Sequence, residues 1–216
     1  MAIFIRKRNV STSYETLVKK ILKEGEYVKT EMGDLTKELR NVLVEITDPS
    51  DKTISKRYVF GSSVIDRYID QLLNGSSGGF VYDYHERLFR WNGEINQIQY
   101  IIDKLKYRKE SRRALAITWN PYVDIRPYDD DFAVPCLQYI QFLVRKGKLE
   151  MSVLFRSNDV LLAFHSNALG LIRLGEMIAD ELGVEMDRYF HYIVSAHIYV
   201  KRDEDYLKKY FSDVIY

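Results

Sequence analysis

Residues 134–159 read Val134-Pro135-Cys136-Leu137-Gln138-Tyr139-Ile140-Gln141-Phe142-Leu143-Val144-Arg145-Lys146-Gly147-Lys148-Leu149-Glu150-Met151-Ser152-Val153-Leu154-Phe155-Arg156-Ser157-Asn158-Asp159. Apolar residues alternate on both sides of Arg145-Lys146-Gly147-Lys148, which predicts two antiparallel strands from Leu137 to Phe155 around a tight turn. In such a ladder, paired indices sum to about 293, which sets Cys136 near the residue after Arg156. A lone cysteine in an apolar strand is ordinarily a small buried hydrophobe. A reactive one needs a nearby positive charge to hold it as thiolate, and the hairpin brings Arg156 within reach.

Working outward, Asn167 to Leu182 is apolar almost all round, at Ala168, Leu171, Ile172, Leu174 and Ile178, and predicts a long central helix. A last long strand follows over Tyr189–Val200, then a short polar helix from Asp203 to Phe211. Toward the N-terminus, Thr12 with Glu15 reads as a capping box for a helix through Tyr14, Leu17, Val18, Ile21 and Leu22, stopped by Gly25. Val42, Val44 and Ile46 predict a strand ending at Asp48-Pro49-Ser50. A second helical face runs through Val64, Ile65, Ile69, Leu72 and Leu73 and closes at Gly75. Asn74-Gly75-Ser76-Ser77-Gly78-Gly79 is the most loop-like stretch; without a following Lys-Ser/Thr it reads as a connection, not a phosphate cradle. A third helix spans Ile95 to Leu105, and Ala114–Trp119 predicts a buried strand. The irregular alternation of helices and strands argues for an α+β fold: one domain over 1–216, with a mostly antiparallel or mixed sheet on a long central helix.

Composition sets the outer limits. The chain has 216 residues, 46% hydrophobic, with four prolines, which suits a folded domain with a sizeable core. A net charge of +1 gives no general pull toward nucleic acid or an anionic membrane. One cysteine makes no internal disulfide, in keeping with a reducing cytoplasm. No stretch predicts a signal peptide or a membrane span. The histidines at 85, 165, 191 and 197 lack zinc-ligand spacing, so no metal is expected.

Several motifs then fall into one pattern. Pro135-Cys136, an aromatic-rich strand, Gly147-Lys148-Leu149 and a returning strand to Arg156-Ser157-Asn158-Asp159 resemble the active-site block of thymidylate synthase. Ser111-Arg112-Arg113 followed by Trp119-Asn120 matches that family's Ser-Arg-Arg…Trp-Asn. Gly79-Phe80-Val81-Tyr82 resembles its Gly-Pro-Val-Tyr, Asn167 falls at its base-facing asparagine, and His197-Ile198-Tyr199 matches its His-x-Tyr. The match runs from about Gly79 to Tyr199, over half of the chain.

The resemblance implies that Cys136 adds to C6 of dUMP, so that C5 can take a one-carbon unit from a reduced pterin, giving dTMP. Arg156 would bind phosphate and favour the thiolate, and Ser157 would bond the same phosphate. Asp159 joins the substrate-binding set, as do Arg112 and Arg113, which would reach phosphate across a homodimer interface. Tyr82 joins the catalytic set. Asn167 would read uracil through O4 and N3–H, where an aspartate would suit cytosine; its plainer role is a helix N-cap. His197 and Tyr199 share a strand face and would bond the sugar hydroxyl.

The chain also departs from the pattern. The family's Glu-Leu-Leu-Trp-Phe-Leu-x-Gly is absent; Lys56-Arg57 with the helix to Gly75 stands in its place, and Asp66 is the expected substitute for the glutamate. Phe155 replaces a glutamine, Ala163-Phe164-His165-Ser166-Asn167 replaces Gly-x-Pro-Phe-Asn, and the tail ending at Tyr216 is shorter than usual. Similar short archaeal chains point to methylene-tetrahydrofolate or a modified pterin, such as methylene-tetrahydromethanopterin, as cosubstrate. Two rivals remain: a pyrimidine-nucleotide hydroxymethylase on the same scaffold, and a non-catalytic nucleotide-binding protein.

Overall fold

The expected hairpin organises the fold. In the computed structural model, which describes residues 2–75, 83–127 and 133–214, Leu137–Arg145 pairs antiparallel with Lys148–Asp159. The turn is tight because Lys146 and Gly147 both take positive φ, 51° and 75°, the geometry whose twist matches that of the flanking strands. Near the turn, paired indices sum to 293, as for Arg145 with Lys148. One irregularity between Leu137 and Tyr139 shifts the sum to 292, so that Leu137 faces Phe155.

In chain order the described elements are β1 (Ile3–Lys7), α1 (Val10–Glu24), β2 (Glu26–Lys29), β3 (Leu35–Ile46), α2 (Ser62–Asn74) and α3 (Tyr84–Phe89). Then come α4 (Gln97–Tyr107), β4 (Leu115–Ile117), α5 (Pro121–Asp124), β5 (Leu137–Arg145) and β6 (Lys148–Asp159). Last are α6 (Phe164–Leu182), β7 (Glu185–Tyr199) and α7 (Glu204–Tyr210). The strands form one seven-stranded sheet ordered β1-β3-β7-β6-β5-β4, with β2 also pairing β3. Helix α6 is a crossover, so β7 returns parallel to β6; β1 is parallel to β3, and the other pairs are antiparallel. This is the expected mixed α+β sheet.

The core follows from the two periodicities. Alternate residues of β5, β6 and β7, among them Phe142, Met151, Phe155, Tyr189 and Ile193, are buried, together with thirteen residues of α6. Burying each large apolar side chain contributes about 1.5–3 kcal/mol.

Several boundaries differ from the sequence reading. Helix α1 is capped by Asn9, whose side chain accepts from the Thr12 N–H at 2.9 Å, while Glu15 takes a bond from the Ser55 hydroxyl instead. The central helix begins at Phe164, three residues before Asn167, because Asp159 already satisfies the entering backbone at Leu162. Strand β4 is a short edge strand with Ile117 exposed, rather than a buried strand. Strands β1 and β2 had no sequence signal that stood out. The expected loop over Asn74–Gly79 lies mostly outside the described residues.

Candidate functional site

The irregularity at Gln138 builds the centre of the site. It moves the strand pairing by one position, so the Arg156 N–H bonds to the Cys136 carbonyl at 2.9 Å. Cys136 therefore sits opposite Arg156 itself, not beside the residue after it. The bulge is held by a hydrogen bond from the Thr118 N–H to the Gln138 carbonyl, 3.1 Å, and one from the Leu137 N–H to the Tyr84 hydroxyl oxygen, 3.0 Å. The Thr118 hydroxyl also donates to the Leu137 carbonyl. Bulges re-aim side chains beside functional sites, and Cys136 is left half-buried here. The Arg156 guanidinium does not turn to the sulfur. Its Nε and Nη2 donate to the carbonyls of Pro135 and Val134, each at 2.9 Å, which fixes the fork and leaves Nη1 without a hydrogen-bond partner among the described residues.

One strand over, β6 and β7 bring the second group of residues together. Ser157 pairs with Ser195 and Asp159 with His197 in parallel register, and the Ser157 hydroxyl stands 3.5 Å from His197 Nδ1. The rings of His197 and Tyr199 meet edge to face at 5.3 Å, so they share a strand face as expected. Burial pushes the His197 pKa down, partly countered by Asp159, so the imidazole is neutral near pH 7. Burial also raises the Tyr199 pKa, helped by Asp159, with Cys136 near enough to add to the same field. The Asp159 carboxylate is itself occupied: it accepts from the Leu162 N–H and from Arg202, whose guanidinium lies 4.1 Å over the Tyr199 ring.

Asn167 is buried in the first turn of α6 and caps nothing; the N-cap is Ala163. Its Oδ1 accepts from Asn158 Nδ2 at 3.1 Å, and its Nδ2 donates to the Tyr68 hydroxyl at 2.8 Å. Asp66 does not join this group. It is exposed on α2, and two helical residues span 200°, so it points away from the side that carries Tyr68 to Asn167. Tyr68 is the residue that sequence reasoning missed. In the family motif the glutamate stands seven places before the glycine, and seven before Gly75 is Tyr68; a search confined to carboxylates passes over it.

Tyr82 lies outside the described residues. Arg112 and Arg113 are exposed in the turn before β4. That turn is held by a bond from the Gln141 side chain to the Arg112 carbonyl, 2.8 Å, and by Ser111, whose hydroxyl accepts from the Arg113 N–H at 3.1 Å. The Phe142 N–H bonds to the Ala114 carbonyl, so the turn lies about six residues along β5 from Cys136, roughly 20 Å away. Within one chain, the two arginines and the thiol stay apart.

Among the described residues, no group of three or more His, Cys, Asp or Glu gathers as a metal site, and no helix is long and apolar enough to cross a membrane. The comparisons with known proteins bear on the family and the fold. The family model for thymidylate synthase matches residues 62–210. Two chains that bear the name "Putative thymidylate synthase" are similar over nearly the whole length. One, from Methanocaldococcus jannaschii, is 52% identical over 98% of this chain and 97% of its own. The other, from Methanothermobacter marburgensis, is 33% identical over 92% and 94%. Among solved structures, thermostable thymidylate synthase A from Bacillus subtilis superposes with a TM-score of 0.72, covering 94% of this chain and 84% of its own. At 22% identity that likeness speaks for the fold alone.

Proposed function

The chain belongs to the thymidylate synthase family, and from that premise we propose that it forms dTMP from dUMP. Cys136 is the nucleophile: its thiolate adds to C6, and the negative charge that develops on C5 and O4 attacks the one-carbon unit. The C5 proton is lost as the pterin nitrogen is expelled, and a hydride from the tetrahydropterin, which leaves as the dihydro form, reduces the methylene to methyl as the thiolate departs. Arg156 and Ser157 take the phosphate. His197 and Tyr199 take the sugar hydroxyl, and Asn167 pairs with O4 and N3–H of uracil. The observation that carries this reading is the shifted register. It sets the Cys136 backbone directly against Arg156, while the guanidinium is fixed by two carbonyls and keeps Nη1 for an anion.

We propose a homodimer whose partner supplies Arg112 and Arg113 to this phosphate. Their distance from Cys136 within one chain supports it. So does a row of apolar and aromatic side chains in register across six strands: Phe4, Leu43, Tyr192, Leu154, Tyr139 and Ile117. Phe4 and Ile117 are exposed, at 59% and 41%. A reduced methylene-pterin, methylene-tetrahydrofolate or a modified form such as methylene-tetrahydromethanopterin, supplies the one-carbon unit.

The test is direct. 5-Fluoro-dUMP with a methylene donor should leave a covalent adduct on Cys136, seen by peptide mass, and Cys136→Ser should abolish it. Labelled dUMP supplied with each pterin should yield dTMP. Hydroxymethyl product would move the protein to the related hydroxymethylases, and an absent adduct would remove the nucleophile.

A further inference from the structure

A tyrosine where the family carries a glutamate changes what lies behind the base-facing amide. Tyr68 from α2, Asn158 from the end of β6 and Asn167 from the first turn of α6 form one hydrogen-bonded chain. Asn158 Nδ2 donates to Asn167 Oδ1, and Asn167 Nδ2 donates to Tyr68 Oη. Asn158 is 3% exposed, and its own Oδ1 is buried without a partner among the described residues. That orphan gives the chain its direction. With both amides turned over, the unpaired group would be the Asn158 NH2, two buried donors instead of one acceptor, and orphaned donors are the rarer and costlier case.

Gly170 shows that the Tyr68 ring is placed, not incidental. It lies one turn beyond Asn167 on the same face of α6, in the middle of a helix, where glycine is disfavoured relative to alanine. A Cβ there would stand 2.6 Å from Tyr68 Cε1 and 2.9 Å from Cδ1. The missing side chain lets the ring lie against the helix backbone with its hydroxyl at Asn167.

We propose that Tyr68 and Asn158 are positioning residues that lock the Asn167 amide in one orientation, and that this lock makes the site select uracil over cytosine. The proposal rests on Asn167 being the base reader. With Oδ1 and Nδ2 each already engaged once, the amide has one acceptor site left for N3–H and one proton left for O4. Cytosine offers an acceptor at N3 and a donor at C4, the reverse pattern. An amide free to turn would serve both bases; a locked one serves uracil.

The experiment measures dissociation constants of dUMP and dCMP on the full-length protein at pH 8 for wild type and four variants, with folding checked by circular dichroism. Asn158→Asp is nearly isosteric but accepts only, so it should draw Asn167 Nδ2 toward itself, turn the amide and narrow the dUMP preference at least about tenfold. Tyr68→Phe removes one latch and should narrow it by a smaller factor. Gly170→Ala keeps the hydroxyl but displaces the ring, and should act in the same direction as Tyr68→Phe. Asn167→Asp is the reference for the base reading. If it shifts preference toward dCMP while the other three keep the wild-type ratio, the lock is overturned and the base reading stands. If Asn167→Asp also keeps the wild-type ratio, the base reading falls and takes the lock with it. Should Asn158→Asp fail to fold, Tyr68→Phe and Gly170→Ala decide: an unchanged ratio in both overturns the lock.

Discussion

The end of β6 and the turn before β4 both present arginines, and they hold them differently. At the end of β6, Arg156 is clamped by two carbonyls, and its neighbours are tied to other elements, Ser157 to His197 on β7 and Asn158 to Asn167 on α6. In the turn, the backbone is tied, by Gln141 and Ser111, while the Arg112 and Arg113 side chains stand in solvent. The first region is a finished surface within one chain. The second is a fixed backbone with its charged side chains left exposed. The difference teaches that one arginine is fixed by its own chain and two are left free in direction, and in the proposed dimer the first would meet phosphate locally and the others from the second copy.

The largest effect that could break this comparison comes from mixing variants. Cys136→Ala and Arg112→Ala should each be almost inactive alone. Mixed after mild denaturation and refolding, half the dimers are hybrids, and in each hybrid one of two sites has both wild-type residues, giving about a quarter of wild-type activity in a C2 dimer with shared sites. Activity that stays at the level of the separate variants would make each site self-contained. The arginine turn would then need another role.

The second effect is acid sensitivity, and it belongs to the β6 side. His191 is buried and stacks on Phe155, the residue before Arg156, at 4.5 Å. Burial pushes its pKa down to about 3. His165, in the first turn of α6, is pushed down to about 4 for the same reason, and its Nε2 accepts from the Ser55 N–H. Both stay neutral in the fold, while the unfolded chain protonates them below about pH 6.5. The unfolded state therefore binds more protons as pH falls, so stability is full above about 6.5 and declines toward 4, by on the order of 3 kcal/mol per histidine. Asp51, lowered to about 2 chiefly by its bond from Thr53, gives way only below that window. Urea denaturation between pH 7 and 4 measures it, and a flat curve would sink the assignment.

What could be read from the sequence divides along the same line. Periodicity gave the hairpin, α6, β7 and α2, because each buries a continuous face that its own residues announce. It gave neither β1 nor β2. The second is exposed at every position, so its place is set by backbone pairing to β3 and by side-chain contacts, Lys37 over the Tyr27 ring and Arg40 with Glu26, rather than by a buried face. The capping box was misread because Glu15 has a partner in Ser55, forty places away, and Asn9 was free to cap. Cys136 and Arg156 were legible as neighbours, yet the bulge at Gln138 displaced their pairing by one. A bulge held by Thr118 and Tyr84 leaves no trace in the alternation of the strand itself. Asp66 was sought for its charge, whereas contact with Asn167 is decided by which side of α2 faces α6, and that side carries Tyr68.

Arg156→Ala sharpens the local half of the comparison. Loss of a charge-assisted contact should weaken dUMP binding by about 1.5–3 kcal/mol, with a much smaller loss for deoxyuridine, which has no phosphate. Titration calorimetry with both ligands separates the cases. Equal losses would mean that Arg156 serves only to anchor the Val134 and Pro135 carbonyls, leaving phosphate to other groups.

The smallest effect tests the other half. Ser111→Ala removes the acceptor of the Arg113 N–H in an exposed turn, where water replaces it, so stability should stay within about 0.5 kcal/mol of wild type. Yet that bond, with the Gln141 contact to the Arg112 carbonyl, sets the direction in which the two arginines leave the backbone. A loosened turn holds its arginines over a wider range of positions, and a contact made across an interface pays that ordering entropy on binding. KM for dUMP should therefore rise a few-fold while the melting temperature and the dimer are unchanged, and deoxyuridine binding should not respond. A KM equal to wild type would mean that the turn needs no preset shape. The arginines would then act as flexible charges, and the contrast with the clamped Arg156 would be deeper than one of location.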